Sequence, residues 1–316
     1  MRQPVYHHVE ASFSPEGLKV ELIKGLENPE AFISPKFLYD NLGSHLFTAI
    51  THLPEYYPTK TEKQITQQYQ AEIARALGEN TCLIDLGAGN CQKAESLFDA
   101  LKPSSYVAVD FSIEYLQDIL PKLQSKFPTI EMMGVGMDFS SFLSLPGAVA
   151  QTRRNFFYPG SSIGNFSQSE AAHLLRQIQS NALGGGLLLG VDLMKEDSVL
   201  LKAYDDPLKL TAAFNLNILR VVNPLIDANF DVQDFRHTIT INHALQRVEL
   251  YLEAVRDVNV AWTGGSRKFK AGELIHTENS HKYSLSSIQA LLSSSGFERF
   301  QTWSDPKNYF ALIYAE

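Results

Sequence analysis

Three aspartates each close an apolar run in the middle of this chain: Asp85 after TCLI, Asp110 after SYVAV and Asp138 after MMGVGM. Gly87 and Gly89 follow the first of them. Glycines there let the backbone turn sharply and let a ligand approach with no Cβ in the way. Asp110 lies 21 residues past Gly89 (110 − 89), where an acid is placed to grip ribose hydroxyls. Asp138-Phe139 offers an acceptor for an exocyclic adenine amine beside a flat apolar ring. Asp85 sits badly beside a pyrophosphate and suits a cationic ligand, such as a sulfonium with an amino acid tail. The third glycine of a dinucleotide fingerprint would fall at position 92, which is Gln92. The strand ends together fit S-adenosylmethionine better than NAD.

Such ends need a parallel sheet behind them. Residues 82–84 read as a short buried strand, and 92–101 as a helix with Ala94, Leu97, Phe98 and Leu101 on its apolar face. Strand, glycine turn and helix make the first unit of a nucleotide-binding α/β sheet. A helix over about 113–127, the strand MMGVGMDF and the strand RRNFFYPGSS follow. Ser167 caps a helix carrying Ala171, Leu174, Leu175, Ile178 and Leu183, and LLLGVDLM is the next strand. The alternation predicts a doubly wound sheet over 80–195, with Asn165 on its ligand-binding edge.

Upstream, Ser34 and Pro35 start a helix whose stripe is Phe37, Leu38, Leu42, Leu46, Phe47 and Ile50. The segment LPEYYPTKTE reads as a rigid aromatic loop, suited to a lid, before a helix capped by Thr59 or Thr61 and running to about Leu77. Residues 1–30 begin as polar, irregular sequence, and His7-His8 reads as a disordered pair. Residues 196–283 leave the α/β pattern: a mixed helical stretch, then DFRHTITIN and QRVELYLEAVRDVNVAW, which alternate as antiparallel strands do. A helix at 285–292, stopped by Gly296, and the strand pair ERFQTWSD and YFALIYAE close the chain.

The chain has 316 residues, enough for one large or two modest domains, and is 44% hydrophobic and 20% charged. A net charge of −8 argues against a general nucleic-acid binder. Cys82 and Cys91 offer no disulfide framework and point to a reducing cytoplasm. The N-terminus lacks the apolar run of a signal peptide, and no run is long enough to span a bilayer. None of the nine histidines has metal-site spacing.

These motifs resemble the S-adenosylmethionine-dependent histidine Nα-methyltransferases of ergothioneine biosynthesis. The resemblance rests on FLYDNLGSHLF (37–47), LPEYYPTKTE (53–62), DLGAGNCQK (85–93), VAVDFS (107–112), YPGSSIGNF (158–166), AYDDPLKLTAAFN (203–215), RVEL (247–250) and HTENSHKY (276–283). It implies a Rossmann-like class I methyltransferase sheet with a second, smaller α+β substrate-binding domain. Residues 61–195 and 284–316 would form the first, and 1–60 and 196–283 the second. It implies that Tyr39, Gly87, Lys93, Asp110, Asp138 and Phe139 bind the cofactor. Asn165, Tyr204 and Thr211 would hold the backbone amine or carboxylate of the amino acid, and Tyr56, Glu278 and Ser280 its imidazole. Leu250 departs from the family pattern, where methionine is usual, as does Asn279, where a small apolar residue is usual, and DLGAGNCQK departs from the more usual ELGSGTSEK form.

The implied reaction is three successive methyl transfers to the α-amino group of histidine, giving hercynine. The donor is already activated, so no metal is needed, and orientation of a neutral amine dominates. Solvent or a tyrosine-bound water takes the proton, while Tyr39 and Tyr56 form aromatic walls that tolerate the growing ammonium. The expected partner is one small amino acid, with no nucleic acid and no membrane, and the chain is expected to act as a monomer. Tryptophan is the rival substrate, and a non-catalytic binding module the rival class. Glu278 favours histidine, because an apolar indole would leave that carboxylate poorly paired.

Overall fold

The computed structural model describes residues 2–9, 15–140 and 142–316. Along the chain run β1 (Val5–His8), α1 (Pro15–Glu27), a 3₁₀ turn at Pro35–Leu38, α2 (Asn41–Thr51) and α3 (Tyr57–Leu77). Then come β2 (Cys82–Leu86), α4 (Gln92–Leu101), β3 (Ser105–Asp110), α5 (Ile113–Lys126), β4 (Glu131–Gly136), β5 (Arg154–Tyr158), α6 (Gln168–Ala182) and β6 (Leu187–Asp192). Next are α7 (Asp197–Tyr204), α8 (Leu210–Ile226), β7 (Phe235–Asn242), β8 (Arg247–Ala254), β9 (Val258–Trp262), β10 (Gly265–Phe269) and β11 (Leu274–His281). The chain closes with α9 (Leu285–Ser294), β12 (Phe300–Ser304) and β13 (Phe310–Ala315).

The contacts divide these elements into two compact units. The first comprises Thr61–Leu193 and Tyr283–Glu316, with β1. Its sheet runs β1-β4-β3-β2-β5-β6-β13-β12. The strands from β1 to β6 are parallel, and β13 and β12 return antiparallel. Successive residues go to opposite faces, so the strands feed two cores. Ile84, Val107, Phe156, Leu189 and Ile313 meet α6 and α9 on one face. Leu83, Tyr106, Ala108, Phe157, Leu188 and Leu312 meet α3, α4 and α5 on the other. Burial on both faces is why β2 and β5 carry no polar alternation. The strand order reverses between β2 and β5, and the loops leaving those two strands are where such sheets bind ligands.

The second unit comprises 14–60 and 194–282, of which 15–60 and 194–282 are described. Its antiparallel sheet β11-β8-β7 and the β9–β10 hairpin share one core with α8. Phe214, Ile218, Leu219 and Val222 of α8 lie in that core with Leu252 and Ile275. Each such side chain contributes roughly 1.5–3 kcal/mol when removed from water.

Three local expectations are corrected. His7 and His8 are not disordered: β1 pairs with β4 at Tyr6↔Gly134, His7↔Val135 and His8↔Gly136. Glycine makes the pairing possible, since a Cβ at Gly134 would lie 2.8 Å from the Tyr6 ring and one at Gly136 3.0 Å from that of His8. The helix expected from Ser34 is two elements. Asp40 starts α2, its side chain accepting the Gly43 N–H at 2.7 Å, while Ser34 makes no side-chain cap. A Cβ at Gly43 would lie 1.8 Å from the Leu38 carbonyl oxygen, so the chain can fold back there only with glycine. Finally, α3 begins at Tyr57 rather than at a threonine cap, with Pro58 in its first turn.

Candidate active site

The cofactor-side residues of the first unit gather around the turn after β2. Gly87 (φ +69°) and Gly89 (φ +50°) take left-handed conformations there. The Gly89 N–H donates to Asp110 Oδ2 at 2.9 Å, and the Ser112 N–H donates to Oδ1 at 3.1 Å. One carboxylate therefore pins the glycine turn to the start of α5. The Phe111 N–H bears on the same carboxylate, whose four lone-pair sites still leave room for a hydroxyl. Burial pushes the Asp110 carboxyl up, against the N–H bonds from Gly89 and Ser112 that pull it down. Asp138 follows β4 by two residues; it accepts the Ser140 N–H at 3.0 Å and the Ser140 hydroxyl. Phe139 stands edge-on to Tyr158 with ring centres 5.9 Å apart. A Cβ built on Gly87 would lie 4.0 Å from Phe139 Cζ, so the turn and the ring are neighbours.

Lys93 lies in the first turn of α4, and its ammonium is held by Glu62 at 2.7 Å as an ion pair rather than a directed hydrogen bond. The other Glu62 oxygen accepts the Gly160 N–H at 2.8 Å. Glu62 is 4% exposed. A Cβ at Gly160 would lie 2.8 Å from Lys93 Nζ, and one at Gly190 2.6 Å from Glu62 Oε1. Glu62 thus ties α4 to the loop after β5, which carries Asn165 in a 3₁₀ turn at Ser162–Asn165. Asn165 is not the cap of α6; Ser167 is, in a reciprocal bond with Glu170.

Asp85 departs from expectation. It is 1% exposed, and its Oδ2 accepts the Tyr106 hydroxyl at 2.8 Å. Burial raises its carboxyl to about 7, with Tyr106 and Lys93 pulling the other way. The side chain lies under the turn rather than open to a ligand, so facing a cationic ligand is not its role. The residues that remain fit an adenosyl sulfonium nucleotide: an acid for the ribose, an acid and a ring for adenine, and a glycine turn that a ligand can approach closely.

The second unit gathers most of the expected amino-acid residues. Tyr39 packs edge to face on Phe47 and Phe214 at 5.6 and 5.4 Å, and Phe47 and Phe214 are tilted against each other at 5.8 Å. Phe47 continues to Tyr56 at 6.1 Å, and Tyr56 to Tyr204 at 6.4 Å. The Tyr204 and Ser280 hydroxyls are 2.7 Å apart. Glu278 and Ser280 are buried and alternate along β11, so they share a face of the sheet with Leu250, which pairs with Glu278. Asn279 points to the opposite face, where its Oδ1 meets His276 Nε2 at 2.9 Å. Thr211 is buried in the first turn of α8 with its N–H on Asp206 at 2.8 Å, which gives it a place in helix initiation. Tyr39 and Asn165 each belong to the other unit from the rest of their expected sets.

Glu62 in LPEYYPTKTE and Lys282 in HTENSHKY lie inside the quoted motifs and had no role assigned. Lys282 is 2% exposed and donates to Tyr204 and Ser280 at 2.7 Å each. His237 was also missed. Asn215 Nδ2 donates to its Nδ1 at 2.9 Å, and its Nε2 meets the Tyr204 carbonyl at 3.0 Å. Burial lowers its pKa, so the ring is neutral with the proton on Nε2.

Residues 18–316 match the family described as histidine-specific methyltransferase, SAM-dependent. A histidine N-alpha-methyltransferase of Mycobacterium tuberculosis is 35% identical, covering 100% of this chain and 99% of the relative. One from Mycolicibacterium smegmatis is also 35% identical, covering 98% of each. Ergothioneine biosynthesis protein 1 of Schizosaccharomyces pombe is 30% identical over 92% of this chain and 39% of its own length. The chain belongs to the SAM-dependent, histidine-specific methyltransferase family.

Proposed function

We propose that this enzyme methylates the α-amino group of free L-histidine in three steps, giving hercynine on the route to ergothioneine. The observation that carries the reading is the pair Glu278 and Ser280, buried and two residues apart on one face of β11. Alternate residues on a strand lie roughly 6.6–6.8 Å apart. That span suits an imidazole bonded at both nitrogens, one N–H to the Glu278 carboxylate and one bare nitrogen to the Ser280 hydroxyl.

In this reading Gly87, Lys93, Asp110, Asp138, Phe139 and Tyr39 hold S-adenosylmethionine, which supplies an activated methyl group. Asp110 takes the ribose, Asp138 and Phe139 the adenine, and Lys93 the carboxylate of the amino acid tail. Asn165, Tyr204 and Thr211 hold the backbone of the substrate. The protein's work is orientation of a neutral amine, so no strong base is required. Tyr39 and Tyr56 act at the reacting centre by facing the growing ammonium with their rings. The reading places the enzyme in the cytoplasm as a monomer. The two buried, unlinked thiols, Cys82 and Cys91, suit a reducing compartment.

The test is an assay of the purified protein with S-adenosylmethionine and each free amino acid, followed by mass spectrometry. Histidine should gain up to three methyl groups. Tryptophan turned over in preference to histidine would replace this substrate, and ligand binding with no turnover of any amino acid would remove the catalytic reading.

A further inference from the structure

We infer that Lys282 is a positioning residue that fixes the Ser280 hydroxyl as a hydrogen-bond donor, and that it thereby selects a neutral substrate ring carrying a bare nitrogen. The inference rests on the reading of Glu278 and Ser280 given above.

A lysine ammonium has three hydrogens to give and no lone pair. Lys282 Nζ lies 2.7 Å from Ser280 Oγ and 2.7 Å from the Tyr204 hydroxyl oxygen, and 4.6 Å from the centre of the Tyr204 ring. Both hydroxyl oxygens therefore accept from it. The two hydroxyls are also 2.7 Å from each other, so one donates to the other. A phenol, with a pKa near 10, is a far stronger acid than an alcohol, and an ammonium on its oxygen sharpens the difference. Tyr204 is the donor of that bond.

Ser280 Oγ then accepts twice, from Lys282 and from Tyr204, and a hydroxyl has two lone pairs. What Ser280 retains is its own O–H. It can give a hydrogen bond and cannot take a third. Burial makes the arrangement persistent: Lys282 is 2% and Ser280 7% exposed, so water does not reorient the cluster.

Three rings meet this donor differently. Neutral imidazole offers an N–H to Glu278 and a lone pair to Ser280. Indole has an N–H and no nitrogen lone pair, so the Ser280 proton is left buried and unaccepted. Imidazolium presents a second N–H to a donor that has an ammonium behind it. Lys282 thus opposes the charge that Glu278 alone would favour, and the pair of residues holds the ring neutral.

The experiment compares the native enzyme with Lys282→Met, Ser280→Ala and the double variant. It measures kcat and KM for histidine between pH 5.5 and 8.5, KM for tryptophan, and the Kd of S-adenosylmethionine by calorimetry. Lys282→Met should raise the KM for histidine about tenfold, the worth of one charge-assisted bond, while leaving kcat within a few-fold and the cofactor Kd unchanged. In the Ser280→Ala background the same change should add less than about twofold, because the hydroxyl it orients is gone. The acid limb of kcat/KM should move to lower pH in Lys282→Met, since Ser280 can then accept from a protonated ring. Should Lys282→Met fail to fold, Lys282→Gln carries the same comparison. Multiplicative effects of the two substitutions, an unchanged histidine KM or an unmoved acid limb would each overturn the inference. A native chain that leaves histidine untouched would overturn it together with the proposed function; native activity with multiplicative variants would overturn it alone.

Discussion

Glu62 holds the Lys93 ammonium at 2.7 Å from a position that is 4% exposed, while Lys93 itself is 40% exposed at its side chain. The acid is fixed and the base reaches outward from it. With its other oxygen Glu62 takes the Gly160 N–H, 98 residues further along the chain. The first turn of α4 and the loop after β5 are therefore set by the same carboxylate. A surface ion pair contributes little, with a median of about 0–1 kcal/mol. This one has a buried partner that also satisfies a backbone donor.

Glu62→Gln should separate these duties. The amide oxygen can still accept from Gly160, but its nitrogen sets a donor against the Lys93 ammonium. The Kd for S-adenosylmethionine should rise about tenfold, with a stability loss of about 1–2 kcal/mol. Calorimetry and thermal melts measure both. A cofactor Kd that stays put would remove Lys93 from the binding set.

Gly87→Ala tests the open face of the turn. A left-handed conformation costs a non-glycine residue about 1–2 kcal/mol, yet the new Cβ meets nothing nearer than Phe139 Cζ at 4.0 Å. The fold should survive at that cost while the methyl group occupies ligand space, raising the cofactor Kd about tenfold. Gly184→Ala is the control: φ is +85° and nothing lies within 4 Å of its Cβ. It should show the same strain in melting and no change in Kd. Equal Kd effects from both would mean that strain alone, and not blocked space, accounts for the loss.

The sheet was readable from the sequence because its strands are buried on both faces and leave apolar runs, such as the one from Cys82 to Ile84. The turn was readable because Gly87 and Gly89 follow such a run and Asp110 ends the next. Strand β1 was not readable. Val-Tyr-His-His carries no apolar pattern of its own, and the strand exists because Gly134 and Gly136 make room for Tyr6 and His8. Asp85 was placed against the ligand because linear pattern marks a strand end and not the side to which its carboxylate turns; the inward-facing Tyr106 decides that. Glu62 and Lys282 stood inside recognisable motifs, but their partners Gly160 and Tyr204 lie 98 and 78 residues away. A role defined by two distant neighbours has no local signature.

Asp85 makes stability depend on pH in a direction unusual for a carboxylate. Its folded pKa, raised by burial to about 7, stands above the unfolded value of 3.8. The folded state therefore binds the extra proton between those values, and stability falls as pH rises through that window. A tenfold difference in proton affinity between folded and unfolded chains is worth about 1.4 kcal/mol, so a few kcal/mol separate pH 5 from pH 8 at this site. Asp85→Asn keeps an oxygen for the Tyr106 hydroxyl and carries no charge. Its melting temperature should exceed that of the native protein at pH 8 and change less between pH 5 and 8. A native protein that grows more stable from pH 5 to 8 by the amount seen in Asp85→Asn would show that Asp85 does not contribute.

Leu250 and Asn279 are two positions expected to depart from the family pattern, and the register of β8 and β11 separates their consequences. Leu250 pairs with Glu278 and shares its face, whereas Asn279 pairs with Glu249 on the other face and accepts at Oδ1 from His276 Nε2. Only Leu250 borders the residues assigned to the imidazole. Asn279→Val should therefore leave the histidine KM within about twofold and cost about 1 kcal/mol of stability, the worth of one hydrogen bond. Leu250→Met conserves volume closely enough to fold, at a cost below about 1.5 kcal/mol, but replaces a branched side chain with a flexible one beside Glu278. It should change the ratio of kcat/KM for histidine over tryptophan, while the cofactor Kd stays constant in both variants. A large KM change from Asn279→Val with none from Leu250→Met would mean that the ring lies against the opposite face of this sheet, and the assignment of Glu278 and Ser280 would fall with it.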